Sequence, residues 1–231
     1  MADRYFSEEP LANEHATLRG NEAHHLLHVM RAKVGTEIIV FDGQGGEWWS
    51  EITKLGRTEV ELALKKHRPI ERELAQEFTL AVALPKGDRQ RWLVEKAVEL
   101  GVSRLVPLTT ARSMASAAEA PAKLLRYVIE ASKQCGRNRL LEIAKPQAWD
   151  QFVWQDAEVN RLVAHPGGLA VGEIQRDEQA ATLLAVGPEG GLTDEEIQLA
   201  RQQGWQIVGL GERILRIETA ALALVARLTV G

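Results

Sequence analysis

The sequence has one cysteine in 231 residues and no long apolar run. Because Cys135 stands alone, neither an internal disulfide nor a cysteine-based metal cluster is possible within the chain. The longest strongly apolar run, residues 220–226, ends at Arg227 and is far shorter than the ~20 residues that span a bilayer. The first residues are polar and charged, so we expect no secretory signal. These features predict a cytosolic protein with no membrane partner.

Several motifs of nucleotide and hydrolase chemistry are also missing. The chain contains no G-x-G-x-x-G, no G-x-x-x-x-G-K-[S/T] and no G-x-S-x-G pattern. Dinucleotide-binding, P-loop and serine-hydrolase interpretations therefore lose support. His24 and His28 share one predicted helix face, but no third ligand stands at metal-site spacing. We expect no metal.

The formal net charge is −4, yet the charges are unevenly distributed. Residues 86–145 carry 12 Lys and Arg side chains against 6 Asp and Glu side chains. Local charge decides what a phosphate backbone meets, so this segment favours a nucleic-acid partner. A solvated helical face would explain the same charges about equally well.

Residues 1–70 show the pattern of a small β domain. A β-branched run at 36–41 and two alternating runs at 47–53 and 58–65 surround a turn-forming DGQGG sequence. A short helix over residues 22–31, capped by Asn21, precedes them. Short strands at close spacing favour a barrel or sandwich, and the pattern breaks at residues 67–73, where we place the linker.

From about residue 75 the pattern changes to strands alternating with helices. Strands are predicted at residues 78–84, 104–108, 162–165, 182–187 and 205–210. Helices are predicted from 88 to 100, from 121 to 135, after Thr193, where Glu196 completes a capping box, and from 217 to 230. We place Asp88 as the cap of the first of these helices. Such alternation predicts an α/β domain with a mainly parallel sheet.

Two glycine-bearing loops follow neighbouring strands of this predicted sheet. The first glycine loop is GPEGG at residues 187–191, and the second glycine loop is GLGERILR at residues 209–216. Ligands of open parallel sheets bind at the carboxyl ends of the strands, and glycine allows close backbone approach. Together the loops could form one apolar pocket whose backbone groups contact a purine edge. Either loop alone is more simply a tight turn.

The motifs resemble those of one known family along most of the chain. The segments that carry the resemblance are RYF at 4–6, HHLLHVMR at 24–31, KGDR at 86–89, EKAVELGV at 95–102, EASKQCGR at 130–137, GPEGG at 187–191 and LGERILRIETA at 210–220. In this order they resemble the RsmE family of ribosomal RNA uridine methyltransferases, which belongs to the SPOUT superfamily.

The resemblance implies a fold, a cofactor and a substrate. It implies a PUA-like β-barrel RNA-binding domain over residues 1–70 and a SPOUT methyltransferase domain with a trefoil knot over residues 75–231. It further implies a homodimer that binds S-adenosyl-L-methionine and methylates N3 of a uridine. The expected substrate is the decoding region of 16S ribosomal RNA, within the small ribosomal subunit.

The resemblance also directs the choice of site residues. The predicted cofactor-binding residues are Gly187, Pro188, Gly190, Gly191, Leu210, Gly211, Ile214, Leu215 and Arg216. We place Arg216 as the cation that steadies charge on the uracil oxygens, with Arg112 and Arg137 as alternatives. Glu189 is the candidate proton acceptor, although it would equally serve to hold its loop, and Glu218 is the alternative. The predicted RNA-binding residues are Arg4, Arg31, Lys86, Arg89, Arg112, Arg137 and Arg139, some of which we expect to be ordinary surface charges.

Two other functions stay open at this point. A methyltransferase acting on a small molecule would need neither the N-terminal β domain nor a basic segment, and salt-dependent RNA binding would count against it. A non-catalytic RNA-binding module would not bind S-adenosylmethionine.

Overall fold

The computed structural model describes residues 3–12, 14–113, 121–154 and 158–230. The chain divides into two compact units. Unit 1 comprises Met1–Glu73 and Ile129–Leu140, and unit 2 comprises Leu74–Val128 and Leu141–Gly231. The return of Ile129–Leu140 to unit 1 differs from the sequence-based division, which assigned everything after residue 75 to one domain. Sequence pattern alone gives no signal for such a return, because it arises from tertiary contacts.

Unit 1 is built on a five-stranded sheet with the order β1-β3-β4-β5-β2. Its strands are β1 (Arg4–Phe6), β2 (His15–Leu18), β3 (Glu37–Phe41), β4 (Glu47–Leu55) and β5 (Val60–Arg68). β1 pairs in parallel with β3, and the other pairs are antiparallel. One face of the sheet buries a core that includes Tyr5, Leu26, Val40, Ile52 and Leu62. The three runs predicted between residues 36 and 65 are thus strands.

The predicted helix of unit 1 is shorter and differently wound than its sequence indicates. α1 (Gly20–His24) passes into a π-helical turn (His25–Val29), and Arg19, not Asn21, occupies the cap position. The prediction that Asn21 caps the helix is therefore wrong. The wider π turn shifts the residues after His24 off the 3.6-residue periodicity, and Met30, which follows the turn, is exposed.

No cluster of three or more metal-ligand side chains occurs in the described ranges. In unit 1 the rings of His24 and His28 are neighbours, with centroids 4.8 Å apart and planes tilted by 51°.

A buried polar network joins the first strand of unit 1 to its last segment. Arg4 forms an ion pair with Glu47, whose side chain is 1% exposed, and donates to Asn138 Oδ1 at 2.6 Å. Arg137, 4% exposed, is paired with Glu73, with Nε 3.1 Å from Oε1. Burial alone would raise the pKa of the Glu47 carboxyl, but the hydrogen bond and charge of Arg4 outweigh it and hold the pKa below its ordinary value.

Unit 2 is built on a seven-stranded, mainly parallel sheet, as its alternating pattern predicted. Its strands are β6 (Phe78–Val82), β7 (Arg104–Thr109), β8 (Glu142–Ile143), β9 (Gln147–Ala148), β10 (Asn160–Ala170), β11 (Thr182–Val186) and β12 (Gln206–Gly209). The order is β12-β10-β11-β6-β7-β8, with β9 also paired to β7.

Helices follow most of these strands. They are α2 (Asp88–Glu99), α3 (Pro121–Cys135), α4 (Trp149–Phe152), α5 (Asp194–Gln202) and α6 (Ile217–Thr229). The capping box of α5 is confirmed, since Thr193 Oγ1 accepts from the Glu196 N–H at 3.2 Å and the Glu196 carboxylate accepts from the Thr193 N–H at 2.8 Å. Asp88 does not cap α2, because the cap position belongs to Gly87 at φ +63°.

The last helix of unit 2 has an apolar sequence, and this suits its position, where it packs against the sheet and α2. α6 buries Ala221, Leu222, Leu224 and Val225 and packs against α2, β6 and β11. This burial explains why the helix carries an apolar run without being a membrane span. None of the helices in the described ranges is long and apolar enough to cross a bilayer.

Candidate active site

The carboxyl ends of three neighbouring parallel strands meet at one edge of the unit 2 sheet. β11 ends at Val186 and enters the first glycine loop, and β12 ends at Gly209, where the second glycine loop begins. β10 lies between β11 and β12, and its register to β12 shifts between Ala164 and Leu169. This bulge bends β10 out of the ladder beside the two loops. The two loops therefore lie at the same edge of the sheet, but the prediction that they follow neighbouring strands is wrong, because β10 separates β11 from β12.

The two loops and the β10 bulge line a cavity of about 130 Å³, which we call the first cavity. Its lining is mainly apolar and consists of Ala164, His165, Pro166, Val186, Gly187, Pro188, Glu189, Gly191, Leu192, Leu210, Gly211, Arg213, Ile214, Leu215, Ile217 and Ala220. A concave, apolar site with a few polar groups is the usual form of a small-ligand site.

Three glycines of the lining are required by the backbone or by space. Gly191 has φ +71° and Gly211 has φ +97°, a region that side chains rarely adopt. A β-carbon on Gly187 would stand 3.0 Å from the Cγ atom of Leu192. Glycine at these three positions therefore allows the backbone conformation and the close packing that form the cavity wall.

A further glycine contact fixes where the second loop leaves the sheet. Gly168 of β10 and Gly209 of β12 approach so closely that a β-carbon on Gly209 would lie 2.6 Å from the carbonyl oxygen of Gly168. No side chain can be accommodated there without moving one of the two strands.

The second glycine loop keeps its backbone donors available. Within the described chain, the N–H groups of residues 211–215 donate to no backbone carbonyl. Free N–H groups beside an apolar wall suit a ligand with a flat ring and a polar edge, such as a purine. The residues present therefore fit an adenosine-bearing ligand.

Most of the predicted cofactor-binding residues lie together in the first cavity. Those that line it are Gly187, Pro188, Gly191, Leu210, Gly211, Ile214 and Leu215. Gly190 and Arg216 are outside this lining of described residues. The Gly190 carbonyl instead accepts a hydrogen bond from Arg112 Nη1 at 2.7 Å. Arg216 is exposed at the cap position of α6, and Arg213 is the arginine of the loop that lines the cavity.

The predicted proton acceptor, Glu189, forms an ion pair with Arg89. It lines the first cavity, and its Oε1 accepts from Arg89 Nη1 at 3.2 Å. The same Nη1 atom stands 3.8 Å from Oε2 of Glu218, whose side chain is only 7% exposed. Arg89 therefore bridges an exposed and a buried carboxylate.

A second cavity of about 490 Å³ adjoins the first. It is lined by Ala83, Leu84, Pro85, Lys86, Arg89, Pro107, Leu108, Thr109, Ser113, Pro146, Pro188, Glu189 and Ile217. Pro188, Glu189 and Ile217 belong to the lining of both cavities, which therefore adjoin at these residues. No sequence pattern indicates this second site, because its lining comes from five separate segments.

The seven predicted RNA-binding residues fall into different environments. In unit 2, Lys86 and Arg89 line the second cavity, and Arg112 is tied to the first glycine loop. In unit 1, Arg31 is exposed at φ +49° and Arg139 pairs with Glu71 at 3.2 Å near the surface.

Arg4 and Arg137 differ from these five, because both are buried in the polar network of unit 1. Their guanidinium groups have carboxylate partners and little exposed surface. We therefore assign them a structural role in unit 1, and the same burial removes Arg137 as an alternative cation for the uracil oxygens.

Sequence reasoning missed the contribution of β10 to the site. His165, Pro166 and Gly168 were not among the predicted residues, although the sequence HPGG follows a predicted strand. A turn-forming Pro-Gly-Gly at a strand end was the available signal. It was overlooked because the bulge keeps residues 160–170 in one long strand, whereas the pattern indicated a strand ending at residue 165.

Comparisons with known families place the fold and the site in one class. Residues 72–229 match the model of the RNA methyltransferase domain, and residues 18–65 match the RNA methyltransferase PUA domain. The first match covers more than half of the chain, including both cavities. The fold and site therefore define an RNA methyltransferase.

Individual relatives narrow this class. The chain is 34% identical to ribosomal RNA small subunit methyltransferase E of Synechocystis sp., over 95% of this chain and 74% of that protein. It is 30% identical to the protein of the same name from Bacillus subtilis, over 89% of this chain and 86% of that protein. A crystal structure of ribosomal RNA small subunit methyltransferase E from Neisseria gonorrhoeae bound to S-adenosyl methionine has a TM-score of 0.88 and 29% identity, covering 98% of this chain and 96% of that one.

The chain belongs to the RNA methyltransferase family and, within it, to the RsmE-type proteins. The resemblance drawn from the motifs is thereby confirmed. The prediction of a PUA-like domain followed by a parallel-sheet methyltransferase domain is confirmed as well.

Proposed function

We propose that this protein is an S-adenosyl-L-methionine-dependent methyltransferase that methylates N3 of a uridine in the decoding region of 16S ribosomal RNA. The observation that carries the proposal is the first cavity, formed by two glycine loops at the carboxyl edge of a parallel sheet in an RNA methyltransferase domain. The Neisseria gonorrhoeae neighbour, solved with S-adenosyl methionine, supports the choice of methyl donor.

The first cavity would hold the donor through both glycine loops. The residues that would hold it are those predicted residues that line the cavity, Gly187, Pro188, Gly191, Leu210, Gly211, Ile214 and Leu215, whereas Gly190 and Arg216 stand outside its lining of described residues. Free N–H groups of the second loop would contact the adenine edge, and the apolar side chains would cover its ring. The bound donor supplies a methyl group on a positively charged sulfur.

The protein's own task is to prepare the acceptor nitrogen. N3 of uracil carries a proton, which must leave as the N3–carbon bond forms and the sulfur–carbon bond breaks, with the electron pair of the broken bond staying on sulfur. Glu189, which lines both cavities, is the proton acceptor. The negative charge that spreads to O2 and O4 needs a fixed cation, and Arg216 is the candidate from the second loop, with Arg112 as the alternative.

The target uridine must be unpaired or flipped out, because N3 lies on the Watson–Crick edge. Lys86, Arg89 and Arg112 in unit 2 and Arg31 and Arg139 in unit 1 would contact the surrounding phosphates. Residues 1–70 would act as a PUA-like RNA-binding domain, a role that the match to the RNA methyltransferase PUA domain supports.

We further propose that the working form is a cytoplasmic homodimer whose methyltransferase domain, over residues 75–231, contains a trefoil knot. The resemblance to the SPOUT superfamily motivates both features. The exposure of Ile214, which is 93% exposed in the second glycine loop, supports a partner surface near the first cavity.

A methyl-transfer assay with nucleoside analysis tests the function. Small ribosomal subunits from cells that lack the enzyme are incubated with the protein and labelled S-adenosylmethionine, and the RNA is digested to nucleosides. We expect label in 3-methyluridine and in no other nucleoside. Absence of label in RNA, when the protein binds the donor, would refute the proposal, and label on carbon or on a ribose oxygen would overturn the mechanism.

A further inference from the structure

The second cavity has the size and the position of an acceptor site. Its volume of about 490 Å³ lies within the roughly 300–1,000 Å³ that is typical of small-ligand sites. Pro188, Glu189 and Ile217 line both this cavity and the first cavity, where the donor would bind. A ring in the second cavity would therefore lie beside the donor, where its N3 atom could approach the methyl group directly.

Two helices begin at the second cavity without a capping side chain. α2 starts beside Lys86 and Arg89, and α6 starts at Ile217, and neither cap residue supplies a side-chain hydrogen bond. The N-terminal ends of helices carry partial positive charge and unpaired N–H groups. The electrostatic potential of the two helix ends would therefore stabilise a ligand group that gains negative charge in the second cavity.

Arg89 is the side chain best placed to use this environment. It lines the second cavity, and its Nη1 atom lies 3.2 Å from the Glu189 carboxylate and 3.8 Å from that of Glu218. Among the described residues, Oε2 of Glu218 is buried and has no hydrogen-bond partner. A buried carboxylate oxygen left unpaired is costly, so Glu218 attracts the Arg89 guanidinium and restricts where it can go.

We propose that the second cavity receives the target uracil and that Arg89, positioned by Glu218, donates a hydrogen bond to a uracil carbonyl oxygen. This inference rests on the proposed methylation of uridine N3. In it Arg89 contacts the uracil base instead of a phosphate, whereas Glu218 is a positioning residue that acts through Arg89. Arg89 then joins Arg216 in stabilising the charge on the uracil oxygens.

When the contact is made to O4, it predicts a preference for uracil over cytosine, since the two bases share the O2 carbonyl. A guanidinium has only donors, and uracil presents carbonyl acceptors at both O2 and O4. Cytosine replaces O4 with an amino group, which is also a donor and would face Arg89 without forming a bond. Sites that hydrogen-bond their substrate reject analogues that leave a buried polar group unpaired.

Substitutions at Arg89 test the contact, with Arg91 as the matched control. Arg91 lies on the same helix and pairs with Glu95 at 2.7 Å, away from the second cavity. We expect Arg89→Gln to lower kcat on small ribosomal subunits by about 100-fold, the usual effect of losing one donor to a developing oxyanion. Its affinity for S-adenosylmethionine should stay within about twofold of wild type, and Arg91→Gln should match wild type in both. Equal kcat for the two variants would overturn the proposal.

Glu218→Gln tests the positioning role, because it keeps the shape of the side chain and removes the charge. We expect a roughly tenfold lower kcat with an unchanged KM, and we expect the double variant Arg89→Gln/Glu218→Gln to be no slower than Arg89→Gln alone. A residue that only stabilises the fold would add its own loss in the double variant, and that result would contradict the positioning role.

A third variant fills the second cavity without touching the first. Thr109 lines the second cavity and is exposed, so Thr109→Trp should block uracil entry while donor binding and melting temperature stay at wild-type values. Thr53→Trp, at an exposed position of β4 in unit 1, is its control. Turnover by Thr109→Trp at the wild-type rate would refute the acceptor site. If the wild-type protein itself transfers no methyl group to RNA, the proposed function fails; if it does so and these variants match it, only the present inference fails.

Discussion

Gly168 of β10 and Gly209 of β12 lie in direct backbone contact. A β-carbon on Gly168 would stand 2.6 Å from the carbonyl oxygen of Ile207, which is also in β12. The second glycine loop begins at Gly209, so this contact sets the direction in which the loop leaves the sheet. The shape of the first cavity therefore depends on a residue that lies outside both glycine loops.

Substitution of Gly168 tests this dependence. Gly168→Ala should lower the free energy of unfolding by about 1–3 kcal/mol, as overpacking does, because the strands must separate. We expect at least a tenfold weaker affinity for S-adenosylmethionine by isothermal titration calorimetry. Gly172→Ala is the control, since its β-carbon meets no atom within 4 Å. Wild-type affinity in Gly168→Ala would show that the contact does not shape the cavity.

Alanine substitutions at a second pair of glycines distinguish the cost of backbone strain from an effect on donor binding in the first cavity. Gly211 at φ +97° lines the first cavity, whereas Gly35 at φ +88° lies in unit 1, and both would place a β-carbon in open space. Alanine at either position should cost roughly 1–2 kcal/mol of stability. Only Gly211→Ala should weaken donor binding, because the loop moves to relieve the strain. An equal effect on donor binding in Gly35→Ala would contradict this expectation.

The polar network of unit 1 predicts a pH dependence of stability. The folded-state pKa of Glu47 lies below its ordinary value, so the unfolded chain takes up this proton more readily. The stabilisation is therefore complete above the unfolded pKa of about 4.3 and is lost as the pH falls through the lowered folded-state pKa.

We expect Glu47→Ala to destabilise the protein by about 3–5 kcal/mol at neutral pH, since it leaves buried Arg4 unpaired. Urea unfolding between pH 7 and pH 3 should show this difference shrinking only at the acidic end. Glu51→Ala, which breaks an exposed pair with Lys65, should have a much smaller effect at every pH. A difference that stays constant down to pH 3 would exclude ionisation of Glu47 as its source.

The basic residues of unit 1 should divide into two groups in RNA-binding experiments. Arg31→Gln and Arg139→Gln remove exposed charges, and each should reduce the slope of log affinity against log salt by about one while the melting temperature stays unchanged. Arg137→Gln removes a buried partner of Glu73 and should lower the melting temperature. A wild-type melting temperature combined with a reduced salt slope in Arg137→Gln would restore it as an RNA contact.

The sequence predicted those features that depend on short stretches of chain. The apolar run at residues 78–84, the capping box of Thr193 and Glu196 and the helix over residues 121–135 each correspond to an observed element. The two glycine loops were correctly predicted to share one edge of the sheet, because parallel strands place their carboxyl ends on one edge, but the strand β10 between them was not predicted.

Features that depend on contacts between distant segments could not be predicted. The contact of Gly168 with Gly209 requires knowledge that β10 and β12 are adjacent. Arg4 looked like an exposed cation because its buried partner, Glu47, lies 43 residues away. The π-helical turn (His25–Val29) has no periodic signature of its own, and the second cavity joins segments from across unit 2.

Primer extension on 16S ribosomal RNA tests the central claim most directly. A methyl group on N3 of uridine blocks Watson–Crick pairing, so reverse transcriptase stops one nucleotide before the modified base. Small ribosomal subunits from cells that lack the enzyme are treated with the protein and S-adenosylmethionine, and Gly211→Ala serves as the donor-site control. We predict a new stop at one uridine of the decoding region, weakened in Gly211→Ala. Methyl incorporation into 16S ribosomal RNA without any such stop would contradict the account.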